Sequence, residues 1–298
     1  MTGSNWQPLA ALEPSRLREA RLGAHFAAQW LARAARAYVA PRPDDSHTNL
    51  GWDTVVGGLG THPLPDGSRL ALRLCDLTLM IISTQGQSQS LALGGLADAD
   101  VRAWLARRVS ELGLDAQKLD ASSPYAMPSF GIATGDRYTV DGDALSLLAA
   151  WYTNANSVLE ETRQTLLARG LSVPVVRCWP HHFDLDSLVT FPSAGPTDVR
   201  TMGTGFSLGD EYYGEPYFYV SVHPAPAGRP VLPPFAHWHT RDFTAAVATA
   251  SALLAEPDER AAAKIYLAAA TDFAIEQLSG AGQVHASQAD ALKAGTAR

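Results

Sequence analysis

Cysteine is scarce in this sequence of 298 residues, which contains two. Cys75 and Cys178 each stand alone in apolar, strand-like surroundings, and no C-x-x-C pair is present. A thiolate zinc site or a disulfide framework needs several cysteines at suitable spacing. The sequence therefore indicates neither kind of site, and we expect both cysteines to be buried free thiols.

An excess of positive charge and a long apolar run are also missing. The 23 basic and 30 acidic residues give a formal net charge of −7, whereas nucleic-acid binding needs a clustered basic surface. The longest strongly apolar run, LTLMII, is far shorter than the roughly 20 residues that cross a bilayer. Residues 1–20 show no basic region before an apolar core. We therefore expect no nucleic-acid partner, no membrane association and a cytoplasmic location.

The periodicity of apolar residues predicts several helices and strands. The predicted helices run from Pro14 to about Tyr38, from Asp98 or Asp100 to Gly113, from Asp143 to Arg169, from Thr240 or Asp242 to Leu254, and from about Asp258 to Leu278. The predicted strands are Arg69–Leu74, Leu77–Ser83 and Ser88–Leu93, which form an antiparallel meander, together with SVPVVRCWPHHFDLDSLVTF and EPYFYVSVHP.

These elements predict an α+β fold in which antiparallel sheet is flanked by helices. The order of helix, polar motif, strands and helix occurs twice, so the chain divides into an N-terminal half, 1–135, and a C-terminal half, 136–298, in one compact unit. An internal duplication is a hypothesis, because sequence identity between the halves is negligible. It would place DDSHTNLGWD and WPHHFDLD at one cleft between the halves.

The stretch WPHHFDLD concentrates ionisable side chains. If it is a continuous strand, His182, Asp184 and Asp186 share one face, while the ring of His181 points to the other. A His-x-Asp pair can converge on a divalent metal, and a histidine of FAHWHT, His239, could complete the set. The alternative is a strand histidine that is hydrogen-bonded to a neighbouring carboxylate, which is a common way to satisfy buried polar groups.

Three further patterns each have a functional and a structural interpretation. Asp210, Glu211 and Glu215 lie beside tyrosines and could serve as general acid and base, or they could cap loop amides and face solvent. GFSLG matches the serine-hydrolase elbow, but a strand rather than a helix follows it, so the context fails. His25 and Gln29 are one helical turn apart and could point inward toward a ligand or lie at the surface.

The motifs SHTNLGWD, WPHHFD, GFSLGDE, EPYFYV and WHT together resemble the motif set of an uncharacterised, mainly bacterial protein family of unknown function. The resemblance covers nearly the whole chain and implies no activity, cofactor or fold. The positions that carry it are Ser46, His47, Asn49, Trp52, Trp179, Pro180, His181, His182, Asp184, Gly209, Asp210, Glu211, Glu215, Tyr217, Tyr219 and His239.

These side chains mix polar, ionisable and aromatic types, as small-molecule pockets do. The leading hypothesis is a small-molecule-binding protein or an enzyme of hydrolytic or proton-transfer chemistry, with its pocket between the halves. The alternatives are a non-enzymatic structural or interaction protein with a buried hydrogen-bond network, and a metal-dependent hydrolase. The candidate catalytic residues are His181, His182, Asp184, Asp210 and Glu211; the ligand-binding residues are His25, Gln29, Ser46, His47, Asn49, Trp52, Trp179, Glu215, Tyr217 and Tyr219; the metal ligands are His182, Asp184 and His239.

Overall fold

The computed structural model describes residues 6–192, 195, 198–226 and 228–295, with residues 280–295 described by their helical backbone alone. The α-helices are α1 (Pro14–Tyr38), α2 (Asp98–Glu111), α3 (Gly142–Ala168), α4 (Ala250–Leu254) and α5 (Glu259–Gly295). The strands are β1 (Gly51–Asp53), β2 (Gly58–Gly60), β3 (Arg69–Arg73), β4 (Thr78–Ile82), β5 (Ser88–Ala92), β6 (Arg177–Trp179), β7 (Asp184–Thr190), β8 (Thr201–Ser207), β9 (Tyr217–His223), β10 (His237–His239) and β11 (Ala245–Thr249).

The strands form two antiparallel sheets. The first is a meander in the order β1-β2-β3-β4-β5, in which every strand pairs with its neighbour along the chain. The second has the order β10-β11-β9-β8-β7-β6. Short 3₁₀ turns lie at Ser46–Thr48, Ala116–Asp120 and Gly131–Thr134. The predicted α+β fold with antiparallel sheet is therefore confirmed.

The chain divides into two structural units, each made of several segments. The first unit comprises Met1–Asn156, Arg177–Leu185 and Ser207–Pro216, and the second comprises Ser157–Val176, Asp186–Phe206 and Tyr217–Arg298. The division of the sequence into halves at residue 135 and the internal duplication stay predictions.

In the first unit, α1 packs against β3 of the meander. The helix begins at Pro14, whose fixed φ suits a first helical turn, and it is rich in alanine, which allows close approach to the sheet. Both elements contain fully or almost fully buried side chains, and complete burial of a large apolar side chain contributes roughly 1.5–3 kcal/mol. They are Ala24, Ala27, Ala28, Trp30 and Leu31 of α1 and Leu70, Leu72 and Leu79 of the meander.

In the second unit, α5 packs against β9 and β11. Tyr266 on α5 is fully buried, and its hydroxyl donates a hydrogen bond of 2.6 Å to the carbonyl of Ala246 in β11. This bond satisfies a polar group that would otherwise be costly to bury.

One predicted helix is wrong. The segment from Thr240 or Asp242 to Leu254 was expected to be helical throughout, but Ala245–Thr249 is strand β11 and the helix is limited to Ala250–Leu254. Strand β11 pairs with β10 on one side and β9 on the other. Because three of its five residues are alanine, which favours a helix, this two-sided pairing overrides the local preference and decides the conformation.

Gly58 in β2 provides a test of the meander. A Cβ at this position would overlap the backbone carbonyl of Leu72 in the paired strand β3. We expect Gly58→Ala to lower the free energy of unfolding by roughly 1–3 kcal/mol, as overpacking does, measured by urea denaturation. Gly142→Ala is the matched control, because a Cβ there has no neighbour within 4 Å and alanine favours a helix. Equal losses in both variants would contradict the packing described here.

Candidate functional site

The segment Trp179–Phe183, which we name the histidine turn, joins β6 to β7. The amides of His182 and Phe183 donate to the carbonyl of Trp179 at 3.2 and 2.7 Å, and Phe183 has a left-handed φ of 57°. The predicted continuous strand through WPHHFDLD is therefore wrong, because Pro180 has no N–H to donate to a sheet.

The two adjacent histidines consequently do not diverge. The ring centroids of His181 and His182 lie 4.1 Å apart, whereas strand alternation predicted opposite faces. His182 is exposed and His181 is half-buried. The ring of His181 is also flanked by Trp179, at 6.1 Å between centroids, and by Tyr125, at 5.6 Å. The turn thus presents two imidazoles together, beside aromatic rings.

A buried polar stripe on α1 supports this turn. Arg21, His25 and Gln29 are spaced four residues apart, so they share one helix face, and all three are buried. Nε2 of His25 and Nε2 of Gln29 each donate to the carbonyl of Pro180 at 2.8 Å. Of the two positions that the sequence left open, a surface position is therefore wrong for both residues, and what they contact is the turn itself.

The other end of the turn is held by α3. The hydroxyl of Tyr152, which is fully buried, donates to the carbonyl of Phe183 at 2.5 Å. The ring of His25 stacks on that of Phe183, with centroids 4.9 Å apart and planes within 8°. Trp52 packs against Tyr152 at 5.4 Å between centroids. Hydrogen bonds and ring packing therefore fix the turn from both helices.

Burial keeps His25 and His181 neutral. It lowers the pKa of His25 to about 4, and the nearby charges of Arg21, His182 and His181 lower it further against the opposing effect of the Pro180 carbonyl. Burial, followed by the charge of His182, also lowers the pKa of His181 to about 4. Burial raises the pKa of the Cys178 thiol well above its usual value. At neutral pH the imidazoles of His25 and His181 therefore carry no charge.

The segment SHTNLGWD lies beside the histidine turn within the first unit. Leu50 and Cys178 exchange backbone hydrogen bonds of 2.9 and 2.8 Å. The polar groups of the segment bond locally: Nδ1 of His47 accepts from the amide of Arg42. Nε2 of His62 donates to Asn49 Oδ1 at 2.9 Å and to the carbonyl of Ser46 at 3.0 Å. The two motifs are brought together, but the polar groups of SHTN serve the local loop.

The predicted acidic cluster has mainly a loop-capping role. Oδ1 of Asp210 accepts from the amides of Tyr212 and Tyr213 at 2.8 and 2.9 Å. Glu211 is exposed and Glu215 is half-buried. This geometry supports the interpretation that Asp210 caps loop amides, which the sequence left open beside an acid–base role.

The remaining predicted residues belong to the second unit. Tyr217 and Tyr219 share one face of β9, with ring centroids 6.1 Å apart. Nε2 of His239 donates to the carbonyl of Arg241 at 2.6 Å. In the part of the chain that the structure describes, no group of three or more His, Cys, Asp or Glu side chains could hold a metal ion. The predicted metal set of His182, Asp184 and His239 therefore has no support from the structure.

Three contributors to the cluster escaped the sequence analysis. Arg21 could have been found, because it lies four residues before His25 on the same helical face. Tyr152 lies inside a long predicted helix with no distinguishing pattern around it. Tyr125, whose hydroxyl donates to Gln29 Oε1 at 2.8 Å, lies in a loop that was expected to separate two halves.

Comparisons with known protein families, curated proteins and solved structures find no significant match for this chain. The resemblance of its motifs to a family of unknown function therefore stays a prediction. Among the described residues, no helix is long and apolar enough to cross a membrane. Fold and site thus define an α+β protein with a histidine-bearing turn.

The lowered pKa of His25 predicts acid sensitivity. The unfolded state takes up a proton below the ordinary pKa of about 6.5, whereas the folded state does so only near 4, so stability falls as the pH drops through this window. We expect His25 to account for a loss of about 3 kcal/mol between pH 7 and pH 4. Urea denaturation across this range should show a shallower pH dependence for His25→Gln. The exposed His223→Gln is the control, and an unchanged slope in His25→Gln would contradict the assignment.

The bond from Tyr152 to the turn predicts a second stability effect. Removal of its hydroxyl leaves the buried carbonyl of Phe183 without this donor, which typically costs about 1–3 kcal/mol. We expect Tyr152→Phe to lose stability in this range in thermal or urea unfolding. Tyr38→Phe is the control, because the hydrogen bond from the Tyr38 hydroxyl to the backbone carbonyl of Asp115 is exposed to solvent. A loss in Tyr38→Phe as large as that in Tyr152→Phe would count against a special role for the turn.

Proposed function

We propose that this protein binds a small molecule at the histidine turn, with His181 and His182 in contact with the ligand. The observation that supports the proposal is a difference in hydrogen bonding between these two imidazoles and the buried polar side chains that hold the turn. His25, Gln29 and Tyr152 direct hydrogen bonds to the carbonyls of the turn. Neither the His181 nor the His182 ring has a hydrogen-bond partner among the described residues, so their nitrogens are available to a ligand.

The surroundings of the two rings suit ligand binding. Trp179 and Tyr125 flank His181, and binding sites commonly combine aromatic walls with a few placed polar groups. The three hydrogen bonds to the carbonyls of Pro180 and Phe183 hold the turn before a ligand arrives. Such preorganisation reduces the entropic cost of binding.

Proton transfer is the chemistry that this pair could supply. With its pKa lowered to about 4, His181 is neutral at pH 7 and offers a nitrogen lone pair. The charge of His182, whose ring centroid lies 4.1 Å from that of His181, contributes to this lowered pKa of His181. The neutral ring of His181 can therefore accept a hydrogen bond from an acidic group of a ligand, or its proton. Asp184 is buried at the start of β7 and is the carboxylate of the proposed site.

The proposed setting is the cytoplasm. Cys75 and Cys178 are both free thiols, and Cys178 is buried. Proteins of reducing compartments usually keep their cysteines in this form.

The second candidate function is structural. The carbonyl of Pro180 accepts two buried donors, and that of Phe183 accepts a third. This observation favours a network that fixes the conformation of a surface used for interaction, with no small molecule. The two candidates differ in whether they require the rings of His181 and His182. The structural role needs His25, Gln29 and Tyr152 but not these two rings.

A thermal-shift screen of a metabolite library tests the proposal. We expect at least one compound to raise the melting temperature of the wild-type protein and to lose its effect on the double variant His181→Asn/His182→Asn. The variant itself should melt close to the wild type, because both rings lack internal hydrogen bonds. His47→Asn/His62→Asn, which alters the neighbouring loop, is the control. A double variant that melts like the wild type, with no compound in the library that distinguishes the two proteins, would favour the structural role, which does not need the two rings.

A further inference from the structure

An open pocket of about 220 Å³ lies near the C-terminal end of α1. It is lined by three cationic side chains, Arg33 and Arg36 of α1 and Lys118 of the 3₁₀ turn Ala116–Asp120, with Ala37 and Ala121 completing the wall. We propose that this pocket binds a small, multiply charged oxyanion, such as a phosphate group or a compact polycarboxylate. The proposal is independent of ligand binding at the histidine turn.

Aromatic rings orient the two guanidinium groups. The Arg33 guanidinium lies over the ring of Trp30, with its central carbon 4.6 Å from the centroid, and that of Arg36 lies over Tyr125 at 5.9 Å. Nη1 of Arg36 also donates a long hydrogen bond of 3.5 Å to the carbonyl of Ser122. A guanidinium stacked by its face keeps the N–H groups of its edge available, and these match the paired oxygens of a phosphate or carboxylate.

Within the described residues, no carboxylate forms an ion pair with Arg33, Arg36 or Lys118 at 4.0 Å or less. The nearby Asp120 is held by Arg102, which donates to its two oxygens at 2.9 and 2.5 Å. Its charge still acts on Arg33, since that guanidinium contributes to the lowered pKa of Asp120 after the larger effect of Arg102.

Two other acidic groups near the pocket are also engaged. Asp98 accepts from Trp30 Nε1 at 2.8 Å and from the Tyr138 hydroxyl at 3.1 Å. Asp115 accepts from the amide of Gln117. The C-terminus of α1 adds only about half a negative charge. Neutral donors leave both carboxylates charged, but the charged residues that line the pocket itself are Arg33, Arg36 and Lys118, in a protein whose formal net charge is −7.

The dimensions of the pocket restrict the ligand. Sites for drug-sized molecules usually occupy about 300–1,000 Å³, and this pocket is smaller. Three converging cations match an anion of two or three charges better than a single carboxylate, because Coulomb attraction grows with the charge of the ligand. Phosphate and polycarboxylate groups share this chemistry.

Calorimetric titration of the full chain at low ionic strength tests the site, with inorganic phosphate, pyrophosphate and citrate as probes. We expect the wild type to bind at least one of them. Arg33→Ala and Arg36→Ala should each weaken that binding about tenfold or more, as loss of a charge-assisted hydrogen bond does. Lys118→Ala, at an exposed position, should weaken it severalfold without affecting the fold. Binding should also weaken with added salt.

Arg18→Ala is the matched control, because Arg18 is exposed on the same helix and does not line the pocket. Its affinity should equal that of the wild type. Binding of phosphate or pyrophosphate but not citrate assigns the site to phosphate groups, and the reverse assigns it to carboxylates. Absence of binding to all three probes, by calorimetry and by thermal shift, overturns the proposal. It is equally overturned if Arg18→Ala, Arg33→Ala and Lys118→Ala bind alike.

Discussion

The carbonyl of Pro180 is the point on which the site in the first unit depends. This single acceptor receives hydrogen bonds from His25 and Gln29, both buried and both from α1. A buried donor without an acceptor costs about 1–3 kcal/mol, so two such donors strongly constrain where the turn can lie. The position of Pro180 in turn sets the positions of His181 and His182, which follow it directly.

That constraint also explains the charge state of the cluster. His25 must donate from Nε2 to a carbonyl, and the neutral ring does this without the cost of burying a charge. Arg21 lies one turn away on the same helix and already places positive charge nearby, which further disfavours a second cation. The neutral state of His181 follows from burial and from its contact with His182. His25 and His181 therefore add no positive charge at neutral pH.

Positive charge is instead concentrated toward the C-terminal end of α1. The stripe of Arg21, His25 and Gln29 continues with Arg33 at the same spacing of four residues, and Arg33 and Arg36 line the cationic pocket. Tyr125 contacts both the histidine turn and the pocket, since its ring lies near the ring of His181 and near the Arg36 guanidinium. Helix α1 thus supplies the two donors that hold the turn and two of the three cations of the pocket. The net charge of −7 gave no indication of this local reversal of sign.

The sequence by itself determined those helices and strands whose conformation depends on residues close by along the chain. Helix α1, the antiparallel meander and the α+β class follow from apolar periodicity, and the spacing of His25 and Gln29 placed them on one helical face. Tertiary structure decided what those side chains contact, because their shared acceptor is 155 and 151 positions away along the chain. It decided where the turn WPHHF is held and that Ala245–Thr249 is a strand, since both depend on hydrogen bonds to distant segments. It also brought Lys118 to Arg33 and Arg36, which no local pattern encodes.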